Sequence, residues 1–272
     1  MALASSRTSG RPACRPASRP KPWCRRRYGK CRDSCPRLVD LTAMPAADKA
    51  QALASLNQAL LDGEDLWLGL LLQSDQPADA VAAHLRSRMI VDIAGQGPCF
   101  FRFFDPRVLV QLPWMLDPAQ LVWLCGPVQR FVFHLDGAWR AVARPDAEGA
   151  ARPKLSVDQS FALTQVQALN EVLSDLDTLE PEGRVALGQK VMAHFRTARE
   201  LGLATAQERK AFARHALDVH PAFHRHERVR ACLAAMQPED DYPYLAAVQD
   251  LSDEDWSSVR ADMERTGEPD GR

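Results

Sequence analysis

Hydrophobic positions repeat at two different spacings along residues 38–104, and the spacing predicts which segments are helices and which are strands. Residues 46–61 show a helical stripe that ends at Asp62-Gly63, whereas the run 66–72 is almost wholly apolar, as expected of an interior strand. The predicted order is a strand at 38–41, a helix at 46–61, a strand at 66–72, a helix at 75–88 and a hairpin with strands at 89–93 and 99–104. This alternation predicts an α/β (α+β) lobe with a mixed sheet.

Two short helices are predicted next, each opened by an aspartate and a proline. Asp105-Pro106 and Asp117-Pro118 place an N-cap acceptor before a proline in the first helical turn, where the missing amide costs no hydrogen bond. Gly126-Pro127 predicts the end of the second helix, because glycine adopts the left-handed cap conformation and proline blocks continuation.

An Asp-Gly pair between two strand-like runs predicts a β-hairpin. The runs are residues 130–135 and 138–142, and Asp136-Gly137 between them favours a tight two-residue turn. A polar, proline-flanked linker at 146–153 follows. The α/β lobe is therefore predicted over residues 37–145.

The remaining chain predicts helices only. Residues 157–179 and 181–201 carry helical stripes, and Thr205 with Glu208 has the spacing of a capping box at the start of a third helix. A last helix is predicted at 252–264. An all-helical C-terminal lobe is expected over residues 154–266.

The formal net charge of −1 hides a sharp asymmetry. Residues 1–37 carry eleven Lys and Arg against one acid, a charge of +10, which leaves −11 for the remainder. Residues 1–36 also contain five prolines and no Val, Ile or Phe, so they cannot build a core. We predict that this basic segment is disordered, and an arm that binds nucleic acid is the functional alternative.

Neither a membrane span nor a secretory signal is apparent in the sequence. We therefore expect a cytoplasmic protein without a membrane partner. In that reducing compartment the cysteines at 99, 125 and 232, which lie in apolar patterns, are predicted to be small buried hydrophobic residues. The four cysteines of residues 1–36 do not form two close pairs, so their spacing fits a zinc ribbon poorly.

Residues 100–128 resemble a known bacterial family. The segments FRFFDPRVL (101–109) and LDPAQLVWLCGPVQRF (116–131), followed by a strand with Trp139-Arg140, are similar to the core of the "domain of unknown function 4123" proteins. These are adaptor chaperones, often called Tap or Tec proteins, of type VI secretion. The resemblance extends over about residues 36–238, where LGLATAQE (201–208) and FHRH (223–226) are similar to the family's C-terminal region.

A strand and a helix normally open the domain of this family, and in this sequence the basic segment 1–36 stands in their place. An Arg-, Pro- and Cys-rich segment of this kind resembles the product of a GC-rich gene that is translated in a shifted reading frame or from a wrong start codon. The resemblance therefore implies that the first strand–helix unit is missing.

The resemblance implies a non-enzymatic adaptor. Its partners would be a type VI effector protein and the VgrG tip protein, onto which the effector is loaded. No cofactor, no metal, no small-molecule substrate and no nucleic-acid partner are expected. The sequence also offers no nucleophile with a base, no phosphate loop and no paired catalytic carboxylates, so no catalytic residue is assigned.

A metal-dependent enzyme is the alternative from another class. His215, His220, His224 and His226 are crowded together and are followed by Asp240 and Asp241, and imidazoles this close could hold zinc. Pro221 breaks the helix, however, and arginines alternate with the last two histidines, which disfavours a bound cation. The sequence favours a solvated or helix-capping cluster.

Six residues are candidates for contact with a partner. Arg102 and Arg107 flank Asp105 and are predicted to fix a strand-to-helix corner through an Arg–Asp pair, with a partner-binding groove beside them as the functional interpretation. Trp114, between the two short helices, is predicted to be exposed, and an exposed aromatic suits a protein-binding patch. The full set is Arg102, Asp105, Arg107, Trp114, His224 and His226.

Overall fold

The computed structural model describes residues 2–4, 37–63, 68–149, 154–176, 183–237 and 239–267. The chain divides into two compact units, Met1–Phe161 and Ala162–Arg272. No helix among the described residues combines the length and the apolar character needed to span a membrane.

The first unit contains the sheet and the short helices. Its strands are β1 (Ala2–Ala4), β2 (Arg37–Val39), β3 (Leu68–Gln73), β4 (Ile90–Ile93), β5 (Gly97–Phe100), β6 (Arg130–Leu135) and β7 (Ala138–Ala143). Its helices are α1 (Ala46–Leu61), α2 (Ala78–Arg88), α3 (Pro106–Leu109), α4 (Leu112–Met115) and α5 (Pro118–Cys125), and α6 (Val157–Ser174) begins here and continues into the second unit.

Five strands form one sheet in the order β2-β1-β3-β6-β7, with antiparallel neighbours at every described pairing. Because β1 pairs antiparallel with both β2 and β3, those two strands run in the same direction, and α1 connects them. They are not neighbours, however, so every described pairing of this sheet is antiparallel, whereas the sequence predicted a mixed sheet.

The sequence did not predict β1. Ala2–Ala4 lack the β-branched and aromatic residues that favour strands, yet an extended backbone is enough for pairing, and these residues pair on both sides. A strand at the start of the chain is thus present. The rest of the segment predicted to be disordered, residues 5–36, lies outside the described residues.

One face of the sheet forms the core of the first unit. Residues directly opposite in antiparallel strands share a face, and the register places Leu72, Phe131 and Val142 in one row. All three are buried, as are Leu70 and Phe133. The other face is half-buried or exposed, which the continuous apolar run at 66–72 did not reveal.

The predicted hairpin at 89–104 forms, but as a separate two-stranded sheet of β4 and β5. Its second strand is shorter than predicted. The amide of Phe101 donates to Met89 in the last rung at 2.8 Å, and the amide of Asp105 then donates to Arg102 at 2.9 Å, which closes a turn. The chain therefore leaves the strand after Phe100.

The second unit is helical. It continues α6 and contains α7 (Gly183–Glu200), α8 (Ala206–Asp218), a 3₁₀ turn (Phe223–Arg225), α9 (Glu227–Ala234), α10 (Pro243–Val248) and α11 (Asp253–Gly267). Its core combines aliphatic side chains with aromatic rings, and those of Phe212, Phe223 and Tyr244 are fully buried. An α+β sheet region followed by helices confirms the predicted fold class.

Candidate partner-binding surface

The turn between β5 and α3 presents two aromatic and two basic side chains at one place, which we name the Phe–Arg corner (Phe100, Arg102, Phe104, Asp105 and Arg107). Side chains alternate through the turn as they do in a strand. Phe101 and Phe103 are buried, whereas Phe100 is 50% exposed. The Phe100 and Phe104 rings meet edge to face with centroids 6.1 Å apart, so the exposed Phe100 ring packs against the half-buried Phe104 ring.

Asp105 holds the corner together. One of its carboxylate oxygens accepts hydrogen bonds from the backbone amide of Arg107 at 3.0 Å and from Nε of the same residue at 3.1 Å. The other oxygen pairs with Arg107 at 2.9 Å and with Arg102 at 3.3 Å. Asp105 is thus both the N-cap of α3 and the shared anion of two arginines, as the sequence predicted.

The charge at this corner is positive. Asp105 is largely buried, with 11% of its side chain exposed, whereas the side chains of Arg102 and Arg107 are 60% and 48% exposed. Burial alone would raise the pKa of Asp105, but the hydrogen bonds and charge of Arg107, together with the charge of Arg102, hold that pKa below its usual value. One ionised carboxylate and two guanidinium groups leave one uncompensated positive charge facing solvent.

Three short helices, α3, α4 and α5, follow the corner along the chain. The N-cap predicted at Asp117 is present and is part of a capping box that was not predicted, since Asp117 accepts from the amide of Gln120 at 2.8 Å and the Gln120 side chain accepts from the amide of Asp117 at 2.9 Å. Helix α4 was not predicted. It carries Pro113 in its first turn, without a side-chain cap.

Trp114 is half-buried rather than exposed. Its indole N–H donates at 2.8 Å to the side-chain oxygen of Gln111, which is fully buried. A tryptophan that gives its only donor to a buried amide is held in the structure of the unit. The prediction that Trp114 is the exposed aromatic is therefore wrong, and among the described residues of this unit the exposed large aromatic side chains are Phe100 and Trp139.

The C-terminal end of α5 is held by α2. The imidazole of His84 bonds the carbonyl of Leu124 at 2.9 Å, and Nε of Arg88 donates to the carbonyl of Trp123 at 2.9 Å. The Arg88 guanidinium also lies 4.3 Å from the centroid of the Trp123 ring. Side-chain donors at a helix C-terminus satisfy carbonyls that have no partner within the helix.

The histidines of the second unit have structural partners. His226 caps α9, since its Nδ1 accepts from the amide of Arg228 at 3.3 Å, and its Nε2 lies 3.3 Å from Asp262. His215 stacks on Trp256 with ring centroids 4.4 Å apart and bonds the hydroxyl of Tyr244. His220 accepts from the amide of Ala222 at 3.1 Å.

His224 is held among aromatic rings, with its centroid 5.6 Å from that of Phe212. Burial, and then the charge of Arg225, lowers the pKa of His224. Within the part of the chain that the structure describes, no group of three or more His, Cys, Asp or Glu side chains could hold a metal ion. The histidines therefore do not converge on a metal centre there, and the geometry favours the capping interpretation.

The cysteines that the structure describes are free. Cys125 is buried, and burial raises the pKa of its thiol to about 12, so the group stays protonated and unreactive. Cys99 and Cys232 are half-buried rather than fully buried as predicted. The basic arm considered for nucleic acid lies outside the described residues.

Comparison with known proteins supports the resemblance. Residues 22–122 match the model of the family described as "Domain of unknown function (DUF4123)". The DUF4123 resemblance is confirmed. The matched residues end within α5 and include the whole Phe–Arg corner, whereas the similarity predicted for residues 123–238 stays a prediction. No curated protein and no solved structure matches the chain.

Sequence reasoning found most of this surface but missed Phe100 as its exposed ring. The signal was present, since the alternation from Phe100 to Phe103 places even-numbered side chains outward and odd-numbered ones inward. The aromatic composition of the run suggested a buried strand and concealed this alternation.

Proposed function

We propose that this protein is a non-enzymatic adaptor that binds a type VI secretion effector in the cytoplasm and helps to load it onto the VgrG tip protein. The match of residues 22–122 to the DUF4123 family supports the proposal. The observation that carries it is the Phe–Arg corner, which lies within the matched residues and exposes one aromatic ring, Phe100, and two arginines. We assign the first contact with the effector to this corner.

The chemistry of the corner suits a protein partner. Aromatic and arginine side chains dominate the binding energy of protein interfaces, because each buries a large area with few rotatable bonds or a rigid donor fork. Phe100 is backed by Phe104, so covering it costs little side-chain entropy. The two guanidinium groups have donors beyond those that Asp105 occupies, and an effector carboxylate or backbone carbonyl would accept from them.

Loading by such an adaptor requires binding energy and no chemical step. A chaperone that binds only the loadable form of its effector raises the population of that form by mass action. At a free adaptor concentration of 100 times Kd the shift is about 2.7 kcal/mol. That free energy is enough to change which conformation of an effector dominates before it reaches the spike.

Co-purification tests the proposal. The tagged full chain would be expressed with each protein encoded beside its gene, and a complex with an effector or with VgrG should survive gel filtration. We expect Phe100→Ala and Arg102→Glu each to lower the affinity at least tenfold, since they remove the exposed ring or reverse its neighbouring charge.

Matched control variants distinguish the loss of a contact with the partner from a general effect of surface substitution on folding. Leu61→Ala removes a side chain that is 74% exposed, and Arg230→Glu reverses an exposed charge in the second unit. Both should leave the affinity unchanged. A complex that Phe100→Ala and Arg102→Glu weaken no more than the controls would exclude the corner as the contact. If none of the neighbouring proteins binds, the adaptor proposal fails.

A further inference from the structure

Strand β7 lies at one edge of the five-stranded sheet, and no described strand pairs with its outer side. A free edge exposes a row of backbone donors and acceptors that can pair with another strand. Natural sheets protect such edges with proline, lysine or a bulge. The residues of β7 are Ala-Trp-Arg-Ala-Val-Ala, and its register with β6 is regular throughout, so it has no proline, lysine or bulge. Its one charged residue, Arg140, is only 15% exposed and pairs with Asp136, so it leaves the outer side of the strand open.

The hydrogen-bond phase of the hairpin shows which residues of β7 have free backbone groups. Asp136 and Gly137 have φ of 52° and 74°, as a type I′ turn requires, and Leu135 pairs with Ala138 on either side of it. The even-numbered residues of β7 therefore bond to β6. The amide of Arg144 confirms this phase, since it donates to Gln129 at 2.9 Å.

The odd-numbered residues consequently direct their backbone groups away from β6. These are Trp139, Ala141 and Ala143, and all three side chains are exposed, Trp139 by 49%. They lie on the face of the sheet opposite the core, where Val132 faces Ala141. The free edge thus combines unpaired backbone groups with one large and two small exposed side chains.

The order of these side chains is self-complementary. If a second β7 runs antiparallel to the first and Ala141 faces its own copy, then Trp139 of each strand faces Ala143 of the other. Each tryptophan would lie over an alanine on the same face, and the three facing pairs would each exchange two backbone hydrogen bonds. We propose that β7 pairs with β7 of a second copy of this chain across a two-fold axis at Ala141.

The size of this contact indicates a reversible dimer. Stable complexes bury about 1,200–2,000 Å² in total, and one strand pair with two tryptophans covers less than that. We therefore expect association that rises with protein concentration rather than a permanent dimer. The opposite edge of the sheet offers a weaker template, because β2 has only three residues and begins with an exposed arginine.

Sedimentation velocity over a concentration series tests the proposal on the full chain. The wild-type protein should pass from monomer towards dimer as its concentration rises. Ala141→Lys should remain monomeric, because it places two positive charges opposite each other at the axis, and Ala141→Glu should do the same with negative charges. An equimolar mixture of the two variants should associate at least as strongly as the wild type, since lysine then faces glutamate.

A backbone test and a control complete the experiment. Ala141→Pro removes an outward-facing amide without touching the ladder to β6, so it should abolish association while the unfolding transition is retained. Ala141→Thr keeps the amide and adds no charge, and it should still associate. A wild-type protein that stays monomeric at every concentration overturns the proposal. So does association that survives in Ala141→Lys and Ala141→Pro, or a Lys–Glu mixture that does not associate.

Discussion

At the scale of single residues, Gly126 is a position where both the backbone conformation and the surrounding atoms disfavour any other residue. Its φ is +54°, and an added Cβ would overlap the imidazole of His84, the same ring that bonds the end of α5. The ψ of Gly126, −114°, also lies outside the left-handed helical region. Gly126→Ala should therefore combine the strain of a backbone conformation that L residues rarely adopt, about 1–3 kcal/mol, with the displacement of His84, for a total loss of roughly 3 kcal/mol or more. Urea unfolding measures this change.

Gly95 provides the control for this prediction. Its φ is +80°, but no atom lies within 4 Å of an added Cβ. Gly95→Ala should thus cost only the backbone strain, about 1–2 kcal/mol. Equal losses for the two variants would contradict the role assigned to His84.

Glu208 is the buried anion of the second unit, with 1% of its surface exposed. One oxygen accepts from the amide of Tyr244 at 3.0 Å, and the other from the amide and hydroxyl of Thr205. Glu208→Gln keeps the shape but turns an amide donor towards these donors, so the free energy of unfolding should fall by roughly 2 kcal/mol or more.

Thr205→Ala measures the contribution of the helix cap at Thr205 apart from that of the buried Glu208–Tyr244 hydrogen bond. It removes the hydroxyl that bonds the amide of Glu208 but leaves the contact with Tyr244, so the loss should be about 1 kcal/mol. Chemical denaturation of both variants gives the comparison. A loss for Glu208→Gln no larger than that for Thr205→Ala would show that the link to α10 contributes nothing.

At the scale of elements, the features that sequence reasoning predicted correctly are those set by neighbouring residues. The caps at Asp105, Asp117 and Thr205 all bond the amides that their spacing predicts. The Asp136-Gly137 turn likewise fixes the register of β6 and β7. Each signal lies within four residues of the structure that it determines, so no tertiary information is needed.

The features that sequence reasoning missed depend on residues far apart in the chain. Strand β1 pairs with β3 across more than 60 residues, and nothing in Ala2–Ala4 itself indicates that partner. The contact of Arg88 with Trp123 was also not predicted, for the same reason. In the candidate site the Arg–Asp pair was found from its local spacing. The half-burial of Trp114 was not found, although its hydrogen-bond partner Gln111 is only three residues away, because the enclosure of Gln111 itself in the core is a tertiary feature.

At the scale of the whole molecule, four histidines couple folding to pH. Burial, the first cause in each case, lowers the pKa of His84, His194, His215 and His224. Below the unfolded value of about 6.5, the unfolded chain takes up protons that the folded protein does not. Their contribution to stability is therefore complete above pH 6.5 and is lost as the pH falls towards the lowered values.

The free energy of unfolding should consequently be smaller at pH 5 than at pH 7, by at most about 1.4 kcal/mol per pH unit for each histidine. Urea unfolding at pH 7, 6 and 5 measures the slope. His224→Phe keeps a ring beside Phe212 and removes one titrating group, so its slope should be shallower. Identical stability at pH 5 and pH 7 would contradict the coupling.

The central proposal for the whole molecule is that it acts as an adaptor, and one measurement tests this most directly. The tagged chain, expressed together with the effector and VgrG candidates encoded beside its gene, is purified and passed through gel filtration. The adaptor account predicts a complex with at least one of them, weakened at least tenfold by Phe100→Ala or Arg102→Glu and unaffected by Leu61→Ala or Arg230→Glu. No complex with any neighbour would contradict it.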